Sequence, residues 1–201
     1  MLNTKNKLYK SSFIKILINI YWLILEKFSR ILFGLLGTLF IARYLGVEKF
    51  GVISFSMSYV DLFAVIATLG LPSIAVRELV KKPNDANIIL GTVGLSKFAS
   101  GILIYFVSIL VIYFFRKGDD LAINTVMIIG TISIFKFSDI SVYWFDSVVK
   151  SKYTSYSIFL ALLTTTIIKF ILIIYRSEYY SFVYITTAEK LLIGVFLLFS
   201  L

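Results

Sequence analysis

Residues 19–46 read NIYWLILEKFSRILFGLLGTLFIARYLG, a stretch apolar enough to cross a bilayer except that Glu26, Lys27 and Arg30 stand inside it. Hydrocarbon on all sides would not hold such a helix. A charge at mid-membrane costs roughly 2.5–3.5 kcal/mol, while each Leu, Ile or Phe returns only about 0.3–0.6. These charges must therefore face protein or a watery cavity, which is where a carrier keeps its binding groups.

The rest of the chain has the same character. Its 201 residues are 59% hydrophobic and 15% charged, with two prolines, and the mean hydropathy is +0.94. Soluble domains are about half apolar and a quarter charged, so the class is an integral membrane protein. Apolar runs of spanning length recur at about 13–42, 52–71, 88–115, 121–142, 155–175 and 182–201. Between them lie YLGVEKFG, PSIAVRELVKKPNDAN, RKGDD, YWFDSVVKSKY and RSEYY, with Pro83–Asn84–Asp85 the clearest turn signal. The expected fold is an all-α, polytopic transmembrane helix bundle of about six spans, preceded by a basic tail at 1–12. As one helix the first run would be about 45 Å long against a hydrocarbon core of roughly 30 Å, so it must tilt, bend or project.

Cysteine and histidine are both absent. That excludes disulfides, thiol nucleophiles, Cys/His zinc sites and imidazole acid–base catalysis, and no metal or cofactor is expected. With the amino terminus inside, the inner face receives Lys5, Lys7, Lys10, Lys15, Arg77, Lys81, Lys82, Lys150 and Lys152, and the outer face Arg43, Lys49, Arg116, Lys117 and Arg176. The positive-inside rule then predicts a cytoplasmic amino terminus. A net charge of +9 would suggest nucleic acid for a soluble protein. Here the basic loops meet anionic lipid headgroups instead, and no nucleic-acid partner is expected.

The charges within the spans ask for a different account. Lys27, Arg30, Lys97, Lys136, Lys169 and Lys190 face the acids Glu26, Asp61, Asp139 and Glu189, a modest positive excess. Gly94, Lys97 and Gly101 share a helical stripe, as do Ser133, Lys136 and Asp139, and Thr165 with Lys169. Small and polar stripes face other helices or water, and the cations stand at staggered depths. A stepped set of fixed cations is what an anionic headgroup needs if it is handed across a low dielectric. Other roles remain open. Lys136 and Lys27 can snorkel to an interface, and Glu26 can pair with Arg30 four residues on or touch substrate. Asp61 fits a proton or sodium site, a lysine partner or a watery position equally well. Arg30 carries the strongest expectation of substrate contact, because its planar fork suits phosphate oxygens. The glycine pairs Gly34–Gly37 and Gly91–Gly94 read as close helix packing.

The string Asn19, Trp22, Leu23, Glu26, Lys27, Arg30, then Ile41-Ala42-Arg43-Tyr44-Leu45-Gly46, Phe50-Gly51 and Ser54-Phe55 resembles the opening of Wzx-type oligosaccharide flippases of the multidrug/oligosaccharidyl-lipid/polysaccharide exporter superfamily. Leu69-Gly70-Leu71, Val76-Arg77-Glu78-Leu79, Trp144-Phe145 and Lys152-Tyr153 continue the likeness. The resemblance implies a membrane transporter, not an enzyme, that moves an undecaprenyl-diphosphate-linked oligosaccharide repeat unit across the bacterial inner membrane. The product would feed O-antigen, capsule or exopolysaccharide assembly. It implies alternating access through a cationic lumen, with Arg30 on the diphosphate or sugar acids and Lys27, Lys97, Lys136, Lys169 and Lys190 as further lumen candidates. Glu26, Asp61, Asp139 and Glu189 become candidates for coupling or ion pairing. Membrane lipids and a polysaccharide polymerase are the other expected partners. Members of that superfamily resemble two six-helix bundles, so the chain is expected to correspond to the amino-terminal lobe of a 12–14-helix carrier, its carboxy-terminal lobe missing. The alternatives are a cation-coupled multidrug exporter of the same superfamily and a membrane enzyme of polysaccharide polymerisation or transfer.

Overall fold

With no water in hydrocarbon to satisfy backbone amides, an apolar run must close its own hydrogen bonds. Every regular element among the described residues is accordingly helical. A computed structural model describes residues 2–68 and 71–199, with side chains for 17–65 and 71–197. Leu69, Gly70 and the side chains of Lys5, Lys7, Lys10 and Lys15, used above for the family likeness and the orientation, lie outside the described residues. The order is α1 Leu2–Thr68, α2 Leu71–Lys81, a 3-10 turn Pro83–Asp85, α3 Ala86–Phe115, α4 Asp120–Phe135, a 3-10 turn Lys136–Asp139, α5 Ile140–Ser147, α6 Ser151–Ile174 and α7 Tyr179–Phe199. Among the described residues five continuous segments are long and apolar enough to cross a membrane: Leu17–Val65, Pro83–Phe115, Asp120–Ser147, Ser151–Ile174 and Tyr179–Leu197.

The first two expected spans are one of these segments. The stretch between them, 43–51, is not a loop, because helix continues on both sides of a single break at Gly46, where φ is 79° and ψ 167°. Only glycine occupies that backbone region without strain. The break is a corner that folds the chain back. On one side of it the Tyr44 hydroxyl donates to the Ser177 carbonyl in the α6–α7 joint at 3.1 Å. On the other, Phe55 lies 4.6 Å from the Arg116 guanidinium in the α3–α4 joint. The first arm therefore runs alongside α6 in the same direction, and the second returns antiparallel to α3.

Two other boundaries move. The expected loop at 72–87 holds the amphipathic α2, whose Ala75 and Leu79 are buried against Ala86 and Tyr143, and the Pro83–Asp85 signal is the turn that follows it. The fourth span does not stop at Val142. It breaks into a 3-10 turn at Lys136–Asp139 and resumes as α5 to Ser147, which shortens the following connection to 148–150.

The short joints after α5 and α6 share one device. The Val149 and Lys150 N–H groups donate to the Asp146 and Phe145 carbonyls, and those of Arg176 and Ser177 to Ile173 and Leu172. This is the paired closure that satisfies a helix's last carbonyls, with one residue left-handed. Glycine usually holds that place, but here Val149 (φ 56°) and Arg176 (φ 50°) do, at a cost of about 1–2 kcal/mol each.

Close packing, not transfer from water, holds helices together in lipid. A methyl group on Gly101 would overlap the Ser133 carbonyl, and one on Gly194 the Ser138 side chain. Backbone-close contacts thus join α3 to α4 and α7 to the 3-10 break. Ile41, Ile53, Ile112, Val126, Ile129 and Phe182 form a core that ties both arms of α1 to α3, α4 and α7. Ile158, Leu162, Ile193 and Leu197 bind α6 to α7.

Candidate functional site

Arg30, Gly34 and Thr38 recur every four residues and so share one face of the first arm of α1. That face, with Ser54 of the returning arm, Lys169 of α6 and Glu189 and Lys190 of α7, encloses a cavity of about 340 Å³. A smaller chamber of about 130 Å³ is bounded by Lys136, Ser138 and Asp139 of the 3-10 break and by Gly194. Arg30 and Lys190 line both. Two cations therefore stand where one chamber meets the other.

The four intramembrane acids each have a base. Glu26 accepts from Arg30 Nε at 3.0 Å, Asp61 from Lys136 at 3.4 Å, Asp139 from Lys97 at 2.7 Å and Glu189 from Lys169 at 2.6 Å. The environments differ. The Lys97 side chain is 3% exposed, and its ammonium also donates to the Tyr143 hydroxyl at 2.7 Å. Asp61 is 65% exposed on the open side of a loose contact. A buried ammonium survives only with an opposite charge and further hydrogen-bond partners, and Lys97 has both.

Helix packing brings these pairs within reach. Lys97 lies on the stripe of Gly94 and Gly101, which meet Ile140 and the Ser133 backbone. A side chain larger than hydrogen at Gly101 would push α3 off the Ser133 backbone and away from the 3-10 break that carries Asp139, whose bond to Lys97 is 2.7 Å, whereas Gly94 meets Ile140 at ordinary contact distance. Lys169 crosses α1 at Gly37, where an added methyl would stand 3.4 Å from Nζ. The glycine pairs thus divide: Gly37 and Gly94 receive neighbours, while Gly34 and Gly91 face open space and Gly34 lines the larger chamber.

Two of the candidate cations have no carboxylate partner among the described residues, Lys27 and Lys190. Lys27 is exposed and lines neither chamber, whereas Lys190 lines both. Lys97 lines neither as well, being enclosed between helices. The chambers therefore bring together Arg30, Lys136, Lys169, Lys190, Asp139 and Glu189, and leave Lys27, Lys97, Glu26 and Asp61 outside their walls.

Some residues acquire a role that spacing does not reveal. Asn19 Oδ1 accepts the Ser151 N–H at 2.8 Å, supplying from another helix the cap that the first turn of α6 lacks. The Trp22 carbonyl accepts from the Ser155 hydroxyl at 2.9 Å. Tyr143 became a partner of Lys97 from 46 residues away, with no sequence signal to find it. Thr38, Ser54 and Thr186 also line the larger chamber; the four-residue spacing from Arg30 points to Thr38, and no sequence signal points to the other two. Among the described residues no three Asp or Glu side chains gather as a metal site would require. A family model described as polysaccharide biosynthesis protein matches residues 16–201. No curated protein and no solved structure matches the chain.

Proposed function

The chain belongs to the polysaccharide biosynthesis protein family, and from that premise we propose that it is a carrier, not an enzyme, for an oligosaccharide linked to a polyprenyl diphosphate such as undecaprenyl diphosphate. It passes the repeat unit across the bacterial inner membrane, from a cytoplasmic face that also carries the amino terminus, to a polymerase that extends surface polysaccharide. The observation that carries this reading is what the cleft keeps free after pairing: Lys190 has no acid among the described residues, and Arg30, although paired with Glu26, gives it only Nε. Both Arg30 Nη groups lack a protein partner among the described residues.

Arg30 and Lys190 offer a diphosphate a guanidinium fork and a point charge at one seam. Both side chains are exposed to the cleft, so an anion that enters it can reach them. The hydroxyls of Thr38 and Ser54 give sugar hydroxyls hydrogen-bond partners along the larger chamber. The Lys169–Glu189 pair lines the same wall without adding net charge. Transport proceeds by movement of this bundle against a second one about the cleft, so that the seam opens to one face and then the other.

Arg30→Ala in cells that depend on this protein tests the proposal. Membrane insertion should be unchanged, surface polysaccharide should fall at least about tenfold, as for loss of a charge-assisted contact, and completed repeat units should accumulate on the inner leaflet. Normal surface polysaccharide would sink the assignment. Altered chain length without stranded repeat units would point to the enzyme reading, and efflux of cationic dye without a glycan phenotype to the drug-exporter reading.

A further inference from the structure

We propose that the recess at the α5–α6 joint binds the phosphate headgroup of an anionic glycerophospholipid from the leaflet that this joint faces. The recess, about 380 Å³, lies between the first arm of α1 and the start of α6, and its wall includes Asn19, Trp22, Val149, Lys150, Lys152 and Tyr153. It shares no lining residue with the two chambers of the central cleft. The joint separates two membrane-length segments, so it stands at the depth where lipid phosphates lie.

Its charge is uncompensated. Lys150 and Lys152 both line the recess, no carboxylate does, and neither has an acidic partner among the described residues. Two other basic sites near the helix ends differ in this respect. Arg116 is bonded to Asp119 at 2.6 Å, and the recess beside α2 that holds Arg77 and Lys81 also holds Asp146. Two ammonium groups against no acid fit a phosphodiester monoanion.

The wall is built before any ligand arrives. Asn19 and Trp22 are tied to α6 by their bonds to Ser151 and Ser155. Tyr153 is stacked on Phe145 with ring centres 5.4 Å apart, and the Lys152 ammonium stands 5.8 Å from the Trp22 ring. Trp and Tyr favour the headgroup level, where one edge is wet and the other apolar. The left-handed Val149 reverses the chain between Val148 and Lys150, and strain at a β-branched residue is kept where the surroundings over-determine it. Ile18 and Val148 supply an apolar floor for the glycerol and the upper acyl chain.

Native mass spectrometry of the full chain in neutral detergent tests this without any transport assay, so its outcome is independent of the export reading. Phosphatidylglycerol should be retained in preference to phosphatidylcholine. Lys150→Gln with Lys152→Gln should lower that retention about fivefold for each lysine, while Lys81→Gln with Lys82→Gln should leave it unchanged. Lys150→Arg with Lys152→Arg should keep it, which also controls for folding. Equal retention of both lipids, or equal loss in the two Gln variants, would overturn the site. Displacement by millimolar inorganic phosphate would show a free-anion site and overturn the lipid source.

Discussion

Lys97 and Lys190 are both lysines set well inside apolar helices, yet they occupy opposite kinds of place. Lys97 is 3% exposed, bonded to Asp139 and Tyr143, and closed in by α3, the 3-10 break and α5. Lys190 is exposed, lines both chambers of the cleft and has no acid among the described residues. The difference teaches that the number of charges in a span says little about binding. What matters is the charge left over after the bundle has paired the rest. Around Lys97 an ion pair fixes a broken helix; around Lys190 the fold leaves a cation open to an anion.

On that contrast, the largest loss of stability belongs to the enclosed side. Asp139→Ala would strand the Lys97 ammonium with only the Tyr143 hydroxyl, at about 3–5 kcal/mol in micellar unfolding. Lys97→Met combined with Asp139→Leu should recover most of that loss, since an apolar pair replaces the ionic one. A double variant as unstable as the single one would show that the pair does more than neutralise itself. Gly101→Ala comes next, at about 1–3 kcal/mol, because its methyl must push the Ser133 backbone away. Full stability there would contradict the close α3–α4 approach that lets Lys97 reach its partner.

Asn19→Ala should cost about 1 kcal/mol, the usual value of a lost cap, with faster amide exchange confined to the first turn of α6. Exchange unchanged at Ser151 would remove the clasp from the account. On the open side, Lys190→Gln should change stability by no more than about 0.5 kcal/mol, like other substitutions that break no packing. Retention of a lipid-linked diphosphate should nevertheless fall about tenfold, as for loss of a charge-assisted contact. A Lys190 variant that unfolds would place this lysine with Lys97 and dissolve the comparison.

Much of the fold is legible along the chain. The apolar runs, the Pro83–Asp85 turn and the Gly94–Lys97–Gly101 stripe all correspond to helices, a turn and a packed face. Three features are not. YLGVEKFG contains Gly46 among polar residues and reads as a loop, but helix propagates to within one residue of the corner because Tyr44 and Phe50 are held by the packed core. The PSIAVRELVKK segment is amphipathic, and only the partners Ala86 and Tyr143 make it a docked helix. The 3-10 break at Lys136–Asp139 has no proline or glycine. Its residues reach different helices, with Lys136 at Asp61, Phe137 at Phe98 and Asp139 at Lys97.

The candidate site divides the same way. Span positions of Arg30, Lys136, Lys169 and Lys190 follow from hydropathy, and the spacing of Glu26 and Arg30 indicates their pair. Lys97 shares its stripe with two glycines whether it lines a lumen or a packed seam, so a helical wheel alone does not separate those outcomes.

By itself the sequence determined that this protein is a helical bundle with long apolar spans and charges embedded in them. The reason is local: hydrocarbon offers no partner to a backbone amide, so each long apolar run must satisfy its own. Only the tertiary structure decided which of those charges cancel. Lys97 meets Asp139 across 42 residues, Lys136 meets Asp61 across 75, and Lys169 meets Glu189 across 20. Coulomb attraction falls with distance and with the dielectric between the charges, and both are set by how the helices pack. That packing leaves Arg30 and Lys190 together at the seam of the cleft.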